Sequence, residues 1–226
     1  MSLKPAKKGD QGKAWNRKTQ ISKYPIETRT KGKRFLIVCE GQTEEWYFKK
    51  FPVLTATIEA IGIGRVKMSL VEYAKRLAKQ EDYDEVWCVF DMDINYEEKQ
   101  KEDFNSAIHK IAYGRDRRFK VAYSNDSFEL WFLLHYKNVE EQQLRGYFYD
   151  KLSELWEINY EKEGKKLEFC KNIYEKLDKD TRAEQEEAIN RARRQFESVE
   201  HLSPHEQNPV TKVYLLVEEL NKHLRP

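Results

Sequence analysis

No run of apolar residues in this chain approaches the roughly 18 needed to span a membrane, and its lysine-rich beginning lacks the apolar stretch of a secretory signal. The expectation is a cytoplasmic protein with no membrane partner. Cysteine is scarce: Cys39, Cys88 and Cys170 are an odd number without metal-ligand spacing, which argues against a disulfide framework and a zinc site. Cys39 and Cys88 lie inside apolar runs and read as small core residues. There is no internal repeat and no G-x-x-x-x-G-K-[ST] loop, so nucleotide-driven switching would have to come from a partner.

What is present is charge and aromatic surface. More than a third of the 226 residues are charged, yet five Trp, thirteen Tyr and eleven Phe supply ample core material. The length suits one generous domain, or a core of about 110–140 residues with a helical extension. The net charge of +2 hides an asymmetry: residues 1–34 hold eleven Lys and Arg against Asp10 and Glu27, about +9, which leaves about −7 on the remainder. A basic arm, residues 1–32, on a mildly acidic body is expected, and phosphates would be drawn first to the arm.

The first strong signal is Phe35-Leu36-Ile37-Val38-Cys39, an uninterrupted apolar run suited to a strand buried on both faces, ending at Glu40-Gly41. A helix from Thr43 to Phe51, a second strand over 53–61 and a helix opened by a Ser69/Glu72 capping box follow. Val86-Trp87-Cys88-Val89-Phe90 repeats the buried-strand pattern and ends in Asp91-Met92-Asp93. An amphipathic helix over 97–112 and a strand over 119–123 complete an α/β pattern over 33–137. Strands separated by helices imply a doubly wound, mostly parallel sheet. Residues 138–226 read as an all-helical carboxyl-terminal extension packing on that core, with a capping box at Thr181/Glu184.

Open parallel sheets place ligand sites outside the carboxyl ends of their strands, where strand order reverses. Glu40, Asp91 and Asp93 stand at two such ends. On a strand, Asp91 and Asp93 would point to one side and present oxygens to a hard cation, with Glu40 facing them. Acids after strands also simply begin turns. Three uncompensated carboxylates in a crevice repel one another, however, and Mg²⁺ or Mn²⁺ resolves that repulsion.

The blocks Cys39-Glu40-Gly41-Gln42-Thr43-Glu44-Glu45-Trp46-Tyr47-Phe48 and Val89-Phe90-Asp91-Met92-Asp93 resemble the Toprim signature of topoisomerases, primases and related nucleases. With Ser124 to Tyr136 and Asn208-Pro209-Val210-Thr211, they resemble the RloB-like family in order along the chain. The resemblance implies a Toprim-like fold and a bacterial restriction-linked or anti-phage defence role, commonly beside an ABC- or AAA-type ATPase. It assigns Glu40 to acid/base work or metal binding, Asp91 and Asp93 to magnesium, and Glu44 to a second metal. The short stretch Ile61 to Met68 departs from the longer glycine-bearing loop of many relatives. The expected activity is metal-dependent hydrolysis of DNA or RNA; the alternative is a non-catalytic Toprim module regulated by its ATPase.

Glu129 lies three residues after Asp126 and reads first as part of a capping box, second as a fourth acid, with Ser124 and Asn125 near the same crevice. Trp131 and Leu134 read as core, and His135 as a buried or surface histidine within reach of a phosphate. For phosphate contacts, Lys31, Lys33 and Arg34 at the end of the arm, Arg65, and the cluster Arg115, Arg117, Arg118 are the candidates.

Overall fold

In a computed structural model of the chain, residues 32–64, 67–93 and 98–224 are described. Residues 1–31 of the expected arm, Lys31 among them, lie outside the described residues, and so does Arg65. Five strands form one sheet in the order β2-β1-β3-β4-β5: β1 Lys33–Cys39, β2 Ala56–Gly62, β3 Glu85–Asp91, β4 Phe119–Asn125 and β5 Val210–Thr211. The first four run parallel and β5 pairs antiparallel with β4. This is the expected Toprim-like α/β fold.

The apolar runs are uninterrupted because both faces of the inner strands are covered. Phe35, Ile37 and Cys39 of β1 join Trp87 and Val89 of β3 in one core, while Leu36 and Val38 join Val86, Cys88 and Phe90 in the other. The second core is closed by α2 (Lys67–Leu77) and α3 (Glu98–Ala112) through Leu70, Val71, Phe104 and Ile108. The first is closed by α1 (Gln42–Lys49), α4 (Glu129–Leu134) and the later helices α5 (Arg145–Trp156), α6 (Tyr160–Glu163), α7 (Leu167–Lys179), α8 (Gln185–Val199) and α9 (Val213–Asn221). Each large side chain so enclosed contributes about 1.5–3 kcal/mol.

Three local expectations differ. α2 starts at Lys67, ahead of the Ser69/Glu72 pair. α8 starts at Gln185 with Glu184 as N-cap and no side-chain cap, because the Glu184 amide bonds the His135 carbonyl at 2.9 Å instead. The carboxyl-terminal third is not all helical: Val210–Thr211 adds the edge strand β5, whose two residues are too few to show a period and are set by pairing with Ser124 and Asn125. Among the described residues no helix is long and apolar enough to cross a membrane.

Candidate active site

β1 connects to β2 on one side while β3 lies on the other, so strand order reverses between β1 and β3. Glu40 follows β1 there. Its amide donates to the Val89 carbonyl at 2.9 Å, and its Oε2 accepts from the Asp91 amide at 3.3 Å, so this residue straddles the two strand tips. Asp91 ends β3 on the side of Trp87 and Val89, the face covered by α1 and α4. Glu44, in the first turn of α1, and Glu129, first residue of α4, are both buried.

Four carboxylates thus share a largely dry crevice, and their electrostatics diverge. Burial, then repulsion from Glu44, Glu129 and Glu40, pushes the Asp91 carboxyl well above the usual carboxylate range. Its Oδ1 is shut off from solvent without a hydrogen-bond partner. Burial likewise pushes Glu44 up to about 7; Lys165 offsets part of this, and Glu129 and Glu40 add to it. Burial would raise Glu129 too, but Lys165 outweighs it and holds this carboxyl below its ordinary value. Lys165 ion-pairs Glu129, and the Tyr160 hydroxyl donates to Glu129 Oε1 at 3.1 Å.

Two more cations close the rim. The Lys67 ammonium, nearly buried, reaches Glu40 Oε1 at 3.3 Å and Asp93 Oδ2 at 3.2 Å, and Arg145 ion-pairs the other Asp93 oxygen. β3 ends at Asp91, so strand alternation does not extend to Asp93, which takes a left-handed φ of 52° that Asp tolerates better than most residues. Asp93 therefore sits at the rim, bound to two cations, while Asp91 faces the buried acids.

Ser124 Oγ bonds Thr211 Oγ1 at 2.9 Å, and Asn125 Nδ2 bonds the Pro204 and His205 carbonyls at 3.3 and 3.0 Å, so both side chains fasten the connection to β5. Asp126 does not cap α4; its Oδ2 accepts from the Arg145 amide at 2.8 Å, which leaves Glu129 to the acid cluster. His135 is buried, its Nδ1–H facing the Trp131 carbonyl at 2.9 Å, and burial pushes it down to about 4. Lys33 is paired with Glu85 and Glu219, Arg34 with Glu81, and Arg118 with Asp116. These, with Arg115 and Arg117, belong to the amino ends of β1 and β4, a strand length of about 20 Å from the acids at ~3.3 Å per residue.

The sequence did not single out Lys67, Arg145, Lys165 or Tyr160 for this site. Lysine and arginine are abundant throughout the chain, and none of the four belongs to a spaced motif; only the departure at Ile61 to Met68 drew notice to the segment holding Lys67.

Gly41 has a structural reason at this site. A Cβ there would lie 2.7 Å from Glu44 Oε2, although its φ of −117° suits any residue. Gly41→Ala is therefore expected to displace the Glu44 carboxylate without unfolding the chain. A several-fold weaker Mg²⁺ affinity by calorimetry with unchanged far-UV circular dichroism is the expected result; unaltered affinity would show that Glu44 is not a ligand.

The raised Glu44 value also fixes a pH dependence. The folded state holds this proton more tightly than the unfolded chain, so the stability linked to it is complete below about 4.5 and is lost as pH rises toward about 7. Glu44→Gln removes that loss. The variant should gain Tm relative to the parent between pH 4.5 and 7.5 in EDTA; His135, which titrates with the opposite sign, is common to both and cancels. A difference independent of pH would overturn the assignment.

Among the described residues, no group of three or more His, Cys, Asp or Glu side chains is arranged to hold a metal ion. The donor chemistry nevertheless fits a hard divalent cation: the donors are all oxygens, they repel one another, and Asp91 Oδ1 and Glu129 Oε2 are buried without partners. Lys67 and Lys165 supply positive charge at the same carboxylates. A family model described as RloB-like protein matches residues 35–220. No curated protein and no solved structure matches the chain.

Proposed function

The chain belongs to the RloB-like family, and from that premise we propose that it is a metal-dependent nuclease, hydrolysing phosphodiesters of DNA or RNA as an effector of a bacterial anti-phage or restriction-linked defence system. The observation that carries this reading is the charge-crowded carboxylate of Asp91, with Oδ1 buried and unpartnered, at the point where strand order reverses. Mg²⁺ or Mn²⁺ would be held by Glu40, Glu44 and Asp91, with Asp93 from the rim, and would supply Lewis-acid polarisation of a phosphate and a lowered pKa for bound water.

The remaining roles fall to side chains. Glu44, which burial pushes up to about 7, is a carboxylate that a cation beside it would keep ionised near neutrality. Glu40, anchored by the Asp91 amide, keeps one oxygen toward the rim. Lys67 and Arg145, tethered to Asp93, are placed to receive phosphate oxygens, while Lys165 keeps Glu129 ionised inside the cluster.

A second reading is a non-catalytic module held by a partner ATPase of the ABC or AAA type. The ammonium groups of Lys67 and Lys165, already seated against the carboxylates, favour it. Incubating the chain with mixed DNA and RNA, transfer RNA included, in Mg²⁺, Mn²⁺ or EDTA, alone and with the neighbouring gene's product, separates the two. Cleavage with metal and none in EDTA is expected. Cleavage only with the partner identifies an effector kept silent until released, and no cleavage under any condition favours the second reading.

A further inference from the structure

Far from the acids, the structure opens a groove of about 280 Å³ between the carboxyl ends of α2 and α3, where β3 and β4 begin. Its lining includes Lys75, Lys79, Lys110, Arg115 and Arg118 against only Glu72 and Asp116. Lys110 is paired with Glu72 and Arg118 with Asp116, whereas Lys75, Lys79 and Arg115 make no salt bridge among the described residues. Lysines near helix ends do complement the helix dipole, worth about 0.3–1 kcal/mol each. That does not account for Arg115, exposed in the loop after α3, or for the neighbouring exposed Arg117. An excess of cations on a body of about −7 is a local reversal of sign.

A second feature stands beside it. Tyr113, between the groove residues Ile111 and Gly114, is 77 % exposed and lies against His109, ring centroids 4.2 Å apart at 33°. An aromatic pair so exposed costs apolar hydration and packs against no core. Open cations beside an exposed ring are what an unpaired nucleotide stretch engages: phosphates on the cations, a base on the ring.

We infer that this groove is a second nucleic-acid contact, gripping an unpaired stretch of the strand on the sheet edge opposite the carboxylates. The inference deepens the nuclease reading and rests on it for the identity of the ligand. The two edges are about 20 Å apart, so the substrate must span that length, and a folded or looped nucleic acid fits better than a dinucleotide.

The test is fluorescence anisotropy on the full chain in EDTA, with a labelled 20-nucleotide single strand and a duplex of equal length. Because the lysine-rich residues 1–34 also attract phosphates, the readouts are changes between variants rather than binding itself. Lys75→Ala/Lys79→Ala/Arg115→Ala should lower single-strand affinity on the order of tenfold and reduce the salt slope by about two. Tyr113→Ala should lower single-strand affinity roughly tenfold while leaving the duplex unchanged. Parental affinity and slope in the triple variant overturn the inference. So does displacement of the strand by polyglutamate of equal charge when Tyr113→Ala has no effect, which would indicate an acidic protein partner. If no metal supports cleavage but these variants bind as expected, the nuclease reading fails and the groove stands; if the chain cleaves and the variants bind like the parent, only the groove fails.

Discussion

Asp91→Asn is expected to abolish metal-dependent cleavage while making the metal-free protein more stable. The activity loss should be on the order of a thousandfold or more, because the substitution keeps shape but removes the anionic charge of a carboxylate whose Oδ1 is buried and unpartnered. The stability gain follows from the same crowding. Asp91 lies among Glu44, Glu129 and Glu40, and its carboxyl is pushed far up, chiefly by burial. Its contribution to stability is complete below the ordinary carboxylate range and is lost as pH rises through the raised value. An amide carries no such loss and offers an N–H₂ to the surrounding carboxylates. At pH 8.5 in EDTA the variant should melt about 2–4 °C above the parent, equivalent to about 1 kcal/mol for a chain of this size. An unchanged cleavage rate would remove Asp91 from the mechanism. Loss of activity together with a lower Tm would make it a structural residue.

This opposition between stability and activity separates a site kept for chemistry from acids that merely start turns. The distinction was only partly legible in the sequence. Phe35 to Cys39 and Val86 to Phe90 announce themselves because a strand covered on both faces has no polar position to interrupt the run, and the acids at their ends then fall at the sheet's ligand edge. Glu129 was harder: its spacing from Asp126 imitates a capping box, and only the fold shows Asp126 turned to the Arg145 amide. Lys67, Arg145 and Lys165 enter from the starts of helices or the turn before one, where a cation in a lysine-rich chain has no distinguishing period. The reverse error has the same origin. Lys33 and Arg34 look available by charge, yet tertiary pairing with Glu85, Glu219 and Glu81 occupies them. Pairing of charges across 47 or more residues is a property of the folded chain and leaves no trace in local spacing.

Lys165→Met is expected to be the most destabilising single change in the cluster. Glu129 is fully buried and ionised against Lys165, with further support from the Tyr160 hydroxyl at 3.1 Å and from the backbone. Removing the ammonium leaves a buried charge uncompensated, which typically costs about 3–5 kcal/mol. The Lys165 side chain is 43 % exposed, so water softens the loss and the lower end applies. A Tm drop of roughly 6–12 °C follows for a chain of this length. The deficit should shrink in acid, since Glu129 in the variant takes up a proton more readily. Adding Glu129→Gln to Lys165→Met removes the stranded charge and should recover most of the lost Tm, a coupling that a purely local packing role for the lysine stem would not give. A double variant no more stable than Lys165→Met alone would show that the ion pair is not what holds this part of the site together, and that the buried acids are balanced by some other charge.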